Sequence, residues 1–229
     1  MIKIENVEVS GWCAAIRGMR NPMNSWDKSD SKWVIANENS DHECGGYDPI
    51  WEYKVGENDL KLMKSLSKAG NDHGKFLRMI NVTVDITAPL YWWKEADTYR
   101  CGKEQNSCST MHKIHDKEFT LDDFSHEHLC NQWESAGTFK YCLQTVIAHL
   151  NKAREKYIET GDKTYWWQMI QLLPSSYNQK RTVQLNYQVL KSMYFARKNH
   201  KLDCWRTFCD WMITLPYFKE ICVDVVDNS

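Results

Sequence analysis

Residues Gly70 to Lys113 read GNDHGKFLRMINVTVDITAPLYWWKEADTYRCGKEQNSCSTMHK. Ile80, Val82, Val84 and Ile86 alternate here with Asn81, Thr83, Asp85 and Thr87. That period of two, rich in β-branched residues, predicts a strand over 79–87. One face is core; the other is polar and free to meet a ligand or a partner subunit. Pro89 suits the first turn of a helix over roughly 90–99, because its missing N–H is an orphan there anyway. A polar stretch follows, with Arg100, Lys103, Asn106, Ser107, Ser109, His112 and Lys113. Cations and neutral donors together suit a phosphate or carboxylate, since charge-assisted hydrogen bonds are the strong ones. The plainer alternative is a solvated polar loop.

Outward from this stretch, residues 2–9 suggest an opening strand. Residues 18–50 are rich in Gly, Asn, Asp, Ser and Pro and read as loops with short elements. Asn58 or Asp59 suits the cap of a helix carrying Leu60, Met63 and Leu66, which stops at Gly70. After Phe119 the chain reads as largely helical. Residues 121–133 open on an Asp-rich turn, and 137–159 carry apolar residues at three- and four-residue spacing. Residues 163–173 end at Pro174. A stripe of Leu185, Val189, Met193 and Ala196 predicts a helix over 182–200, and another is expected over 203–214. The 229 residues therefore read as one α+β domain, 1–229, with a helical C-terminal half.

Net charge is −1, from 29 basic and 30 acidic residues, with no basic stripe; a nucleic-acid binder is not expected. Nothing in the sequence is apolar for long enough to predict a membrane span or a signal peptide. Nine cysteines without a CxxC pair fit reduced thiols and a cytoplasmic setting. Eleven Trp and eleven Tyr exceed what a core alone needs and suit interfaces and ligand pockets.

Several motifs compete for chemistry. His112-x-x-His115 and His126-x-His128, with Cys130, supply metal-ligating side chains at a spacing that matches no zinc or iron site, so no metal is expected. His115-Asp116 resembles metal-dependent phosphohydrolases, without their other ligands. No GxGxxG, Walker loop or nucleophile elbow is present. The Trp92-Trp93 and Trp166-Trp167 pairs read either as core or as a platform for a planar ring.

The run from His73 through the strand, Ala88-Pro89 and the helix to Thr98-Tyr99-Arg100 resembles the flavin-dependent thymidylate synthases. In that family a His-containing turn precedes a strand, Ala-Pro starts a helix ending in Arg-His-Arg, and a Ser follows; here Ser109 follows. A second stretch agrees. Leu173-Pro174 precedes Asn186-Tyr187-Gln188 and the run Met193 to Lys198, where the family has Leu-Pro, then Asn-x-Arg and an aromatic and basic run. The resemblance covers residues 58–210. It implies an α+β fold with a central antiparallel or mixed sheet and a homotetramer with sites shared between subunits. It also implies FAD as cofactor, dUMP as the pyrimidine nucleotide methylated, NADPH as reductant and methylenetetrahydrofolate as one-carbon donor.

Carried over residue by residue, the resemblance places Arg100 and Ser109 at the reaction centre. It puts His73, Arg78, Thr98, Tyr99, Asn186 and Gln188 at the flavin, and Lys103, Ser107, Lys113 and Arg197 at the nucleotide. The departures are as informative. Thr98 and Tyr99 stand where the family has Arg and His, Met111 where it has Arg after the Ser, and Gln188 where it has the helical Arg. None replaces a guanidinium in charge or donor geometry. The alternative is therefore a non-catalytic nucleotide-binding or protein-interaction member of the same fold.

Overall fold

The computed structural model describes residues 2–36, 51–134 and 137–227. Residues 37–50 of the expected 18–50 loop region, Cys44 among them, lie outside the described residues. In chain order the elements are β1 (Lys3–Ser10), α1 (Trp12–Arg20), β2 (Lys32–Ile35), β3 (Trp51–Lys54), α2 (Glu57–Lys68), β4 (Asn81–Pro89), α3 (Leu90–Ala96) and β5 (Lys103–Ser107). There follow β6 (Trp133–Glu134), β7 (Gly137–Thr138), α4 (Phe139–Thr160), α5 (Lys163–Leu172), β8 (Asn178–Asn186), α6 (Tyr187–Arg197), α7 (Asp203–Met212) and α8 (Asp224–Asp227). Four strands form an antiparallel sheet in the order β1-β4-β8-β5, and β2 with β3 and β6 with β7 make separate ribbons. The fold is α+β, as the sequence predicts.

The predicted strand is β4, displaced by two residues. Val82, Val84, Ile86 and Ala88 are fully buried, while Asn81, Thr83, Asp85 and Thr87 are half-buried, so the two faces differ as the alternation requires. Pro89 ends this strand and stands at the N-cap of α3.

The chain divides into two compact units. One comprises Met1–Val7, Val84–Val183 and His200–Phe208. Its core has an aromatic block of Trp92, Trp93, Trp205 and Phe208, each no more than 1% exposed. A second cluster gathers Phe119, Phe124, Leu143, Ile147, Leu150 and Met169, with α4 packed along α5. The other unit comprises Glu8–Thr83, Gln184–Asn199 and Cys209–Ser229. Tyr187 is its centre: fully buried, edge-on to Trp12 and Phe218, with its hydroxyl donating to Pro216 O at 2.7 Å.

Three expectations are corrected. The helix predicted over 182–200 begins only at Tyr187; residues 178–186 are strand β8. Leu185 fits both periods, which hid the change, and Asn186 marks it by accepting Val189 N–H at 3.0 Å as an N-cap. Residues 121–133 hold a single 3-10 turn, Leu121–Asp123, and the first residue of β6, with no α-helix. The Asp-rich start is a capping box, Thr120 with Asp123, and no apolar stripe follows to carry a helix on. Finally, neither Asn58 nor Asp59 caps α2. Its N-cap is Gly56, and the carboxylate of Asp30 accepts from the N–H groups of Asn58 and Asp59 at 2.9 and 3.1 Å.

Gly11 caps α1 at φ +91°, and a Cβ there would stand 2.0 Å from Met79 O. Gly11→Ala is therefore expected to cost about 2–3 kcal/mol, since the left-handed conformation is strained for alanine and the carbonyl must move as well. Urea unfolding followed by tryptophan fluorescence measures this. A cost below about 0.5 kcal/mol, the usual range of a harmless surface change, would show that the backbone gives way freely.

Candidate functional site

The stretch expected as a polar loop is a strand in its first half. β5 lies beside β8 at one edge of the sheet, and Cys108 N–H continues the pairing by donating to Lys180 O at 2.9 Å. Only from Cys108 onward does the chain turn away, and there Ser109 Oγ accepts the N–H groups of Met111 and His112 at 3.1 and 2.9 Å. That serine thus builds the turn that carries Lys113 and Lys117.

This turn walls a cavity of about 680 Å³. Lys3, Lys113, Lys117 and Lys180 line it, with Thr87, Ser109, Tyr177, Asn178 and Gln179 and the carboxylates Asp116, Asp122 and Asp123. The lysines are held in ion pairs: Lys113 with Asp116 at 3.1 Å, Lys117 with Asp123, Lys180 with Asp85 at 3.0 Å and Lys3 with Glu5 at 2.8 Å. Asp85 also accepts from Thr182 Oγ1 at 2.6 Å and Asn6 Nδ2 at 2.9 Å. Those hydrogen bonds, Thr182's first, hold its carboxyl down at about 2, and Asp85 in return raises the Lys180 ammonium. Burial pushes Asp123 upward, but Lys117 and the Thr120 donors outweigh it and the carboxyl stays below its ordinary range. Asp123 likewise raises the Lys117 ammonium. The pairs differ in exposure: Lys113–Asp116 is open to solvent, whereas the carboxylates of Asp123 and Asp85 are largely buried.

The wall behind the cavity is rigid. Gln179 Nε2 donates to Cys108 O at 2.8 Å, and Arg181 Nε donates to Gln179 Oε1 at 3.0 Å. Arg181 also donates to both oxygens of Asp97 and lies 4.2 Å from the centre of the Trp93 ring, a cation–π contact. These contacts lock β8 against α3.

Of the residues singled out in the sequence, Ser109 and Lys113 come together at this cavity. Lys103 does not. Its side chain is 6% exposed, and its ammonium donates to Ala96 O and Asp97 Oδ1 at the C-terminal end of α3. Burial lowers its pKa, partly offset by Asp97. Ser107 is exposed at the end of β5, and Arg100 is exposed in the turn before it; neither lines the cavity. Thr98 Oγ1 donates to Glu95 O at 2.7 Å and so closes α3, while Tyr99 leans on Trp205 at 6.1 Å between rings. In the other unit, His73 and Arg78 are exposed around a 3-10 turn, Gly74–Arg78. Gln188 Nε2 donates to Asn71 at 3.2 Å, two residues before His73. Asn186 serves as the α6 cap, and Arg197 is half-buried at the end of that helix.

Sequence reading missed Lys3, Lys117 and Lys180. Lys180 and Thr182 share one face of β8, a signal that appears once 178–186 is read with a period of two. Of the two tryptophan pairs, Trp92-Trp93 is core, whereas Trp166 and Trp167 line a separate cavity. The histidines scatter: His126 Nδ1 bonds Phe124 O at 2.8 Å and His128 bonds Asp203 at 2.6 Å. Among the described residues no group of three or more His, Cys, Asp or Glu is placed to hold a metal ion, and no helix is long and apolar enough to cross a membrane.

The chain matches no family model and no curated protein sequence. It does match solved structures. Thymidylate synthase X from Helicobacter pylori, determined with FAD and dUMP, aligns over 99% of both chains with a TM-score of 0.64 at 14% identity. A second structure of that flavin-dependent enzyme with the same ligands covers 96% of this chain and 99% of its own, with a TM-score of 0.63 at 14% identity. A UMP/dUMP methylase, PolB from Streptomyces cacaoi, bound with 5-Br dUMP, covers 93% and 89% with a TM-score of 0.58 at 16% identity. The fold of this chain is that of the flavin-dependent thymidylate synthases.

Proposed function

We propose that the chain binds a pyrimidine nucleotide in the lysine-lined cavity, with the phosphate on Lys113, Lys117 and Lys180 and Ser109 holding the turn between them. The observation that carries this reading is a nucleotide-sized cavity lined by four lysines in a chain of this fold. A phosphate takes over lysine donors that now meet carboxylates, and Tyr177, half-buried, lines the same cavity beside the base. Modification of that nucleotide, as in the relatives of this fold that carry FAD and dUMP, is the wider reading. When bound, FAD would supply redox chemistry for such a step, with NADPH and methylenetetrahydrofolate as its partners.

Three of the residues at the flavin positions, Thr98, Tyr99 and Gln188, do not fit a flavin phosphate. Thr98 is committed to Glu95 O, Tyr99 packs on Trp205 and Gln188 is bonded to Asn71, and none of these three offers a cation, whereas Arg78 is an exposed cation. This favours a nucleotide binder whose chemistry does not run through the family arginines that Thr98, Met111 and Gln188 replace. A homotetramer is proposed with it from the resemblance.

Thermal melts with dUMP, UMP, dTMP and FAD test the reading. A pyrimidine nucleotide is expected to raise the midpoint, since ligand at a hundredfold excess over Kd adds about 2.7 kcal/mol. Lys180→Ala is expected to weaken binding by about 1–2 kcal/mol, the loss of one charged contact near solvent. If Arg100→Ala removes binding and Lys180→Ala does not, the anion site is the turn after α3 and not this cavity. A shift with FAD alone would overturn the ranking of nucleotide over flavin.

A further inference from the structure

The same turn that walls the lysine cavity has a second side. His112, His115, Tyr157, Trp166 and Trp167 line another cavity of about 470 Å³, with Lys163 at its rim. Two motifs far apart in sequence, His112-x-x-His115 and Trp166-Trp167, thus meet at one place. The rings are held in position. Trp166 Nε1 donates to Met111 O at 3.0 Å, Trp166 and Trp167 stand edge-to-face at 4.8 Å, and His115 stands edge-on to Tyr157 at 4.9 Å. Arg154 Nε fixes the His115 carbonyl at 2.9 Å.

Three observations say what such a cavity takes. Aromatic faces at the wall favour a planar ring, which gains by stacking whatever its substituents. The charged residue in the lining is a lysine, and no carboxylate lines it, in contrast to the lysine cavity with its three aspartates. His115 Nδ1 is buried and has no hydrogen-bond partner among the described residues. A buried polar atom without a partner is costly and uncommon, and beside a cavity it is matched when a ligand supplies one. Trp167 remains 49% exposed and Lys163 is exposed, so the rim is open to a ligand.

We infer that this cavity is a second small-molecule site, taking a planar heteroaromatic ring that carries an anionic group, with the ring against Trp166 and Trp167 and the anion at Lys163. It stands independently of the pyrimidine-nucleotide reading, because it shares no lining residue with the lysine cavity.

Adenosine 5′-monophosphate and adenosine are the probes, titrated calorimetrically against the intact chain and against Trp167→Ala, Lys163→Ala and Lys180→Ala. One saturable site is expected for the monophosphate. Trp167→Ala should weaken both probes about tenfold, the size of one lost stacking contact. Lys163→Ala should weaken the monophosphate several-fold and leave adenosine unchanged. Lys180→Ala and saturating UMP should change neither. The inference is overturned if the monophosphate does not bind, or if Lys180→Ala or UMP removes it. It is equally overturned if neither ring nor Lys163 variant alters binding. A change of molecular mass in light scattering on Trp167→Ala would assign the rings to a contact with a second copy, which also overturns it. Trp167 and Lys163 are exposed and Lys180 is half-buried, so the three variants are expected to fold, and a circular-dichroism melt confirms it.

Discussion

Asp59→Ala is expected to destabilise the protein by about 3–5 kcal/mol, the cost of removing one partner from a buried ion pair. Asp59 is fully buried, and Arg20, 4% exposed, donates to it through Nε at 2.6 Å. The same carboxylate accepts Ser29 Oγ at 2.7 Å, Ser31 Oγ at 2.6 Å and the N–H groups of Asp30 and Ser31 at 3.2 and 3.1 Å. Arg20 spends its other donors on Ser25 O and Lys28 O, so the pair fastens residues 25–31 across α1 and α2. Alanine leaves a buried guanidinium and several N–H and O–H donors without an acceptor. With typical stabilities of about 5–15 kcal/mol, that loss is a large fraction of the whole. Burial alone would raise the Asp59 pKa, but the hydrogen bonds of Ser31, Ser29 and Arg20 outweigh it and the net shift is downward. A carboxyl depressed in the folded state contributes stability that is present above its unfolded value, about 3.9, and is lost as pH falls through the folded value. Urea unfolding at pH 7 and along an acid series measures both effects. Arg20→Met with Asp59→Leu, which removes the charges together, should recover part of the loss; if it is worse than either single change, the pair is net stabilising in itself.

Trp205→Ala is expected to cost about 3–5 kcal/mol as well, through a different mechanism. Trp205 is fully buried, its ring 4.9 Å from Trp92 and 6.0 Å from Phe208, and Tyr99 and His200 close the other side at 6.1 and 6.3 Å. Truncation opens a cavity among stiff rings that cannot collapse to fill it. Its indole Nε1 also donates to Glu95 Oε2 at 3.0 Å. Trp205→Phe keeps most of the packing and loses that bond, so it should cost roughly half as much as alanine. Thermal unfolding of the two variants separates the contributions: equal losses would put the stabilisation in the hydrogen bond and not in the packing.

These two places show what the sequence made visible. The β4 alternation, the Pro89 boundary and the helices at 139–160 and 163–172 were legible, because each is a local pattern of side chains. Arg20 and Asp59 are 39 residues apart, and nothing local marks either one as buried; Asp59 reads as a helix cap until Asp30 is seen in that role. The candidate site was half legible. Ser109 and Lys113 stood in the polar stretch, whereas Lys3 and Lys180 come from strands whose pairing only the fold supplies. Lys103 misled because a lysine between polar neighbours looks solvated; the carbonyl of Ala96 and the carboxylate of Asp97 claim it.

Strand β8 carries two kinds of information on two faces. Gln179, Arg181 and Val183 turn inward, with Arg181 fastened to Asp97 and Trp93, while Lys180 and Thr182 turn to Asp85. A substitution at 180 rewrites the charge of the cavity, and one at 182 the hydrogen bond to Asp85, and both leave the interior untouched. An insertion or deletion of a single residue does the reverse, because it exchanges the faces of everything beyond it. The outer face of β8 is thus open to point changes, while the length of the segment between Asn178 and Asn186 is held constant by the interior.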